Sequence, residues 1–170
     1  MHASAFIALG TNLPFEGAEG SALLARAVEA MREAGFELRA VSGVWRTPAW
    51  PPGSDQPDYF NAVVEADARE DGPRAIYDKL RAIEATFGRK RRARWESRTL
   101  DLDLLALGAL SGVFDGIAVP HPRLQERVFV LAPFAEVAPD WRHPELGETV
   151  AHMLARLEVD EGYRRVSDLS

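Results

Sequence analysis

Two aspartates, Asp101 and Asp103, stand two positions apart in the run Thr99-Leu100-Asp101-Leu102-Asp103-Leu104-Leu105. In a strand, side chains alternate between faces, so both carboxylates project together while Leu100, Leu102 and Leu104 project the other way. Like charges at that spacing raise one another's pKa unless a cation lies between them. Magnesium, which takes one or two carboxylates plus phosphate oxygens, meets that need. An ordinary solvated sheet face can carry the same Asp-x-Asp pattern, so the pair alone decides nothing. The preceding segment weighs more: Arg89, Lys90, Arg91, Arg92, Arg94 and Arg98 put six of the twenty basic residues into ten positions. Arginines to neutralise phosphate charge, beside carboxylates to hold the bridging metal, are the parts that phosphoryl transfer requires. Trp95, inside this polar stretch, either stacks on a ligand ring or anchors the loop.

The bulk composition points the same way. Net charge is -6, which argues against a long polyanion such as nucleic acid and for a local anionic ligand. There is no cysteine, so thiolate and disulfide chemistry are excluded. With 46% hydrophobic and 27% charged residues in 170 positions, residues 1–170 are expected to form a single domain. The first residues lack the basic and apolar regions of a signal peptide, and the longest apolar run, 128–135, is too short to cross a bilayer. The expectation is a cytoplasmic monomer with small-molecule substrates, no membrane contact and no nucleic-acid partner.

The elements that must position these residues follow from periodicity. Residues 5–9 form a short apolar run ended by Gly10, and 21–34 repeat at helical spacing before Gly35. Residues 38–45 read as a strand. Residues 49–57, with three prolines and a glycine, must be a loop. Residues 59–66 read as the next strand. Asp71-Gly72-Pro73 starts a helix whose face is Ile76, Leu80, Ile83 and Phe87. Residues 99–107 read as a strand and 113–119 as a further one, with helices at 128–137 and 149–157. Strand, helix, strand, strand, helix, strand is the α+β, ferredoxin-like order: an antiparallel sheet with helices on one face, followed here by a C-terminal hairpin and helix extension.

The segment Arg94-Trp95-Glu96-Ser97-Arg98-Thr99-Leu100-Asp101-Leu102-Asp103 resembles the signature of the 6-hydroxymethyl-7,8-dihydropterin pyrophosphokinases. Further matching stretches occur in family order. They are Ala8-Leu9-Gly10-Thr11-Asn12-Leu13, Trp45-Arg46-Thr47-Pro48, Asp55-Gln56-Pro57-Asp58-Tyr59-Phe60-Asn61, Ile83-Glu84, Val119-Pro120-His121-Pro122-Arg123 and Glu126-Arg127-Val128-Phe129-Val130-Leu131. The resemblance spans roughly residues 6–139. It implies transfer of the β,γ-pyrophosphoryl group of ATP to the pterin hydroxymethyl oxygen, releasing AMP, within folate biosynthesis. Two magnesium ions would sit on Asp101 and Asp103, with Arg91 and Arg94 as catalytic arginines. Glu84, Arg91, Arg94, Trp95, Arg98, Leu104, His121 and Arg127 would line the ATP site. Gly10, Thr47, Pro48, Trp50, Tyr59, Asn61, Trp95 and Phe129 would line the pterin site.

The chain departs from the family pattern in places. Glu96-Ser97 stand where Gly-Pro or Gly-Ala is common, and the segment between Gly88 and Trp95 is one residue shorter than in some relatives. Arg81 replaces a frequent glutamine, Gly116 an arginine, and Trp50 a smaller apolar residue. These touch the nucleotide contacts more than the metal site. Two rival readings stay open at this level: an RNA-binding module using the arginine segment, and a catalytically inactive relative serving as a scaffold.

Overall fold

The computed structural model describes residues 3–49, 53, 55–69, 71–88, 99–158 and 162–169. The elements in chain order are β1 (Ser4–Thr11), α1 (Gly20–Glu33), β2 (Glu37–Val41), β3 (Val44–Thr47), β4 (Tyr59–Asp67), α2 (Pro73–Thr86) and β5 (Asp101–Leu107). They continue with β6 (Gly112–Phe114), β7 (Ile117–Val119), a 3-10 turn at Leu124–Glu126, α3 (Val128–Val137), α4 (Val150–Ala155) and β8 (Arg164–Ser167). The main sheet runs β5-β1-β4-β3-β8, with β2 also paired to β4, and its strand pairs are antiparallel.

Alternation along the strands divides the core in two. Ile7 and Leu9 of β1, Val64 and Ala66 of β4 and Leu102 and Leu104 of β5 face α1 and α2, meeting Leu23, Leu24, Met31, Ile76 and Leu80. The helices of the ferredoxin-like core thus share one face, as the order of elements requires. Leu100 and Leu102 are fully buried there, each contributing about 2 kcal/mol of transfer free energy. On the opposite face, Phe6, Val63 and Leu105 pack beneath Val130, Leu131 and Phe134 of α3 and Val150 and Met153 of α4. The C-terminal extension therefore roofs the part of the second face that holds Phe6, Val63 and Leu105.

Three elements differ from the sequence expectation. The expected strand at 38–45 is two strands, because Ser42 Oγ accepts the Val63 N–H at 2.9 Å and so breaks the ladder. The expected strand at 113–119 is the hairpin β6–β7, turned at Asp115-Gly116 with φ of 50° and 83°, the left-handed pair that a tight hairpin turn needs. Strand β8, which the sequence analysis did not anticipate, closes the sheet on β3.

Candidate active site

Register places the chemically promising residues in one line. Asp101 pairs with Gly10, Gly10 with Asn61, Asn61 with Trp45 and Trp45 with Arg165, so one row crosses five strands. Residues directly opposite in a ladder share a face, and Asp103, paired with Ala8, lies on the same face as Asp101. Ala8 packs toward the α3 and α4 side, so both carboxylates are on that face. There α3 and α4 cover only one half of the sheet. Asp101 and Asp103 remain half-buried on the other half, at the start of the edge strand β5. The alternation argued from sequence holds: Leu102 lies under α2 while its acidic neighbours face outward.

Gly10 forms the floor of this half. A Cβ built there would stand 3.0 Å from Asn61 Oδ1, so a side chain at this position would press on Asn61 between the carboxylates and the amide. Asn61 itself is buried, and its Nδ2 meets no acceptor among the described residues. An unmet buried donor costs on the order of 1–3 kcal/mol, which makes the Asn61 amide a natural point of contact for a ligand acceptor. Tyr59 pairs with Thr47 one step along the same strands and lies on the same face.

Two loop residues complete the rim. His121 is held by its own N–H, which donates to the Leu105 carbonyl at 2.7 Å, while its Nδ1 accepts the Arg123 N–H at 3.3 Å. Burial, then the Arg127 charge, push the His121 imidazole down to about 4, against an opposing pull from Asp101. It is neutral near pH 7. Arg127 is lowered by burial and by Arg123 and supported by Asp103 and Asp101, so it is a partly desolvated cation facing both carboxylates. Its guanidinium lies 5.6 Å from the centroid of the Phe129 ring, which lies in the first turn of α3 and is partly exposed.

Not every expected residue meets at this face. Glu84 is 3% exposed; its Oε2 accepts the Leu102 N–H at 2.8 Å and its Oε1 lies 2.8 Å from Arg81 Nη1. Its carboxylate thus fastens α2 to β5. Leu104 is buried in the α1 and α2 core, on the face opposite Asp103. Pro48 is exposed and packs on the backbone of Gly162. Arg91, Arg94, Arg98, Trp95 and Trp50 lie outside the described residues.

The structure also adds residues to which the sequence analysis assigned no role. Arg81 donates to the Leu102 carbonyl and places Nη2 3.8 Å from Asp103 Oδ1. Its position three residues before Glu84, at helical spacing, was the available signal. Trp45 and Glu136 meet through an Nε1–H···Oε1 bond of 2.6 Å, a contact between distant segments that no local pattern announces.

The face also bears on the RNA-binding alternative. A base-stacking platform needs exposed aromatics on central strands, whereas β1 offers Ala8 and Gly10 here and β5 two carboxylates.

Comparison with known proteins identifies the family. The family model for 7,8-dihydro-6-hydroxymethylpterin-pyrophosphokinase matches residues 6–139. A 2-amino-4-hydroxy-6-hydroxymethyldihydropteridine pyrophosphokinase from Methylorubrum extorquens is 37% identical over 163 residues, covering 95% of this chain and 98% of that one. One from Pseudomonas aeruginosa is 38% identical, covering 95% of each. One from Synechocystis is 39% identical over 125 residues, but the match spans 63% of its length. Crystal structures of Plasmodium falciparum HPPK-DHPS share the fold with TM-scores of 0.73 and 0.75 at 10% and 12% identity, this chain spanning about half of each, 49% and 47%. The family model and the near full-length relatives together place this chain in the 7,8-dihydro-6-hydroxymethylpterin-pyrophosphokinase family, whose reaction moves a pyrophosphoryl group onto hydroxymethyldihydropterin in folate biosynthesis.

Proposed function

We propose that this chain transfers the pyrophosphoryl group of ATP to the hydroxymethyl oxygen of 6-hydroxymethyl-7,8-dihydropterin on the open half of its sheet. The observation that supports this placement is the row Asp101–Gly10–Asn61. It sets a carboxylate pair and an amide two strand spacings apart, roughly 10 Å, with a glycine floor between them. That span suits a flat heterocycle whose reactive arm reaches toward the carboxylates.

The residues present fit magnesium. Asp101 and Asp103 are hard oxygen donors on one half-buried face, and among the described residues no third His, Asp or Glu joins them to make a closed metal site. Phosphate oxygens and water complete such a sphere, so the metal arrives with the nucleotide. In this reading the two aspartates hold two ions; bound there, magnesium supplies neutralisation of the phosphate oxygens and a lowered pKa for the attacking hydroxyl. Arg127 places a desolvated cation against the phosphates, and neutral His121 offers them a hydrogen-bond donor. Arg91, Arg94 and Arg98 complete the phosphate contacts, with Trp95 on the nucleotide side. Asn61 reads the amide edge of the pterin, Tyr59 and Phe129 flank its rings, and Thr47, Pro48 and Trp50 border it. The pterin oxygen bonds to the β-phosphorus, the bond from that phosphorus to the oxygen bridging the α-phosphate breaks, and AMP leaves. The hydroxyl proton passes to solvent. A cytoplasmic monomer suffices for this scheme.

The test is AMP formation from ATP and magnesium with and without the pterin, in the wild type and in Asp101→Ala and Asp103→Ala. Pterin-dependent AMP release that falls by roughly a hundredfold or more in both variants is expected. Unchanged turnover in either variant, with the fold intact, refutes the placement of the metal.

A further inference from the structure

Strand β8 lies beyond the residues matched by the family model, yet it touches both walls of the pterin half of the site. Tyr163, immediately before β8, is buried, and its ring stacks on Trp45 with centroids 5.3 Å apart and planes at 20°. Trp45 is the cross-strand partner of Asn61. The Tyr163 hydroxyl donates to the Val128 carbonyl at 2.9 Å, one residue before Phe129. One side chain therefore spans from the strand beside the amide reader to the helix turn that carries the ring-stacking phenylalanine.

That helix turn needs an anchor. Pro133 lies within α3 and has no N–H, so the Phe129 carbonyl, four residues earlier, cannot receive its helical bond. The opposite end of α3 is tied down separately. Glu136 accepts the Gly43 N–H at 2.9 Å, the Trp45 Nε1–H at 2.6 Å and the Arg165 Nε–H at 3.1 Å. Helix α3 is thus clamped to β3 and β8 at both ends, and Tyr163 supplies the clamp at the substrate end. The Gly162 backbone packs so closely on Pro48 that a Cβ there would stand 2.6 Å from the Pro48 ring, which seats Tyr163 against β3.

We propose that Tyr163 is a positioning residue for the pterin: it sets the separation between Phe129 and the Asn61 strand, and so the width of the slot for the flat ring. This rests on the placement of the pterin between Asn61 and Phe129 given above. The hydroxyl sits far from the carboxylate pair along the row, so its effect falls on the pterin and not on the nucleotide.

Tyr163→Phe keeps the ring stack and removes only the hydroxyl. The expected result is a pterin KM raised about fivefold, the effect of one neutral hydrogen bond, with kcat and the KM for ATP within about twofold of wild type. An unchanged pterin KM overturns the proposal. So does a parallel loss in both KM values and kcat, which marks general loosening of the fold. Asn61→Ala serves as the control. If it leaves the pterin KM unchanged, the location of the pterin site itself is wrong; if it raises that KM while Tyr163→Phe does not, only the role of Tyr163 fails. Trp45→Phe loosens the same clamp from its other side, thinning the stack on Tyr163 and losing the Nε1–H bond to Glu136, and should give the same split between the substrates; equal shifts for pterin and ATP count against the clamp.

Discussion

Arg81 Nη2 lies 3.8 Å from Asp103 Oδ1 while Nη1 lies 2.8 Å from Glu84 Oε1, so one guanidinium joins a buried carboxylate to an open one. The two contacts have different energetic weight. The Glu84 side chain is nearly inaccessible at 4%, whereas that of Asp103 is 36% exposed and well screened. Breaking a buried ion pair by deleting one partner is costly, because the remaining charge stays desolvated. Arg81→Met is therefore expected to destabilise the protein by about 3 kcal/mol, a fall in melting temperature of roughly 8 °C for a chain of this size. Combining it with Glu84→Leu removes the stranded charge and should recover part of that loss. Thermal denaturation of the single and double variants checks this; an additive loss in the double variant counts against the pairing.

Gly10 is the second point of leverage. Among the described residues an alanine Cβ at this position meets only Asn61 Oδ1, at 3.0 Å, and the next atom, the Phe60 carbonyl oxygen, is 4.0 Å away. The far end of Asn61 can shift by a few tenths of an ångström, so the fold survives while the amide is displaced. Gly10→Ala should raise the pterin KM roughly tenfold with little change in melting temperature, since small misplacements at a site cost rate and affinity steeply. A large thermal shift with unchanged pterin KM would show that Gly10 serves the sheet and not the ligand.

The Glu136 clamp has a pH signature. Burial pushes its carboxyl up, but the Gly43 N–H and the Arg165 and Trp45 side-chain donors outweigh this and hold it below its ordinary 4.5. A carboxylate whose folded pKa is depressed adds stability above its unfolded pKa and loses it as pH falls through the folded one. Wild type should therefore lose stability relative to Glu136→Gln as pH is lowered below about 4.5. Melting temperatures of the two proteins between neutral pH and pH about 3 measure the difference, and parallel curves would remove the clamp from the account.

Magnesium removal should separate activity from folding. The paired aspartates are half-buried on the open face, and the core packs without them in two clusters of apolar side chains. Chelation should abolish AMP release and leave the melting temperature within about 1–2 °C, because in the proposed scheme the metal would be held jointly with substrate phosphates and not by a closed protein site. A chelator-induced drop of many degrees would assign the metal a structural role instead.

Much of this was legible in the chain order of the residues. Asp101 and Asp103 share a face because strand alternation is a property of neighbours, and the helices at Leu23–Met31 and Ile76–Ile83 bury the side chains that their spacing selects. The family motifs likewise lie in contiguous stretches. Where local pattern misled, a distant group had intervened. Ser42 interrupts the strand only because Val63 is there to donate to it, and β8 forms only because β3 presents an edge for it. The row from Asp101 through Gly10 and Asn61 to Trp45 depends on register among strands up to about ninety residues apart, and register is set by which side chains can bury together. Glu84 and Leu104 were assigned to the nucleotide through family likeness, whereas packing turned one into a fastening of β5 and the other into core. Residue types dictated the chemistry within reach; long-range burial and pairing determined which of them face one another across the site.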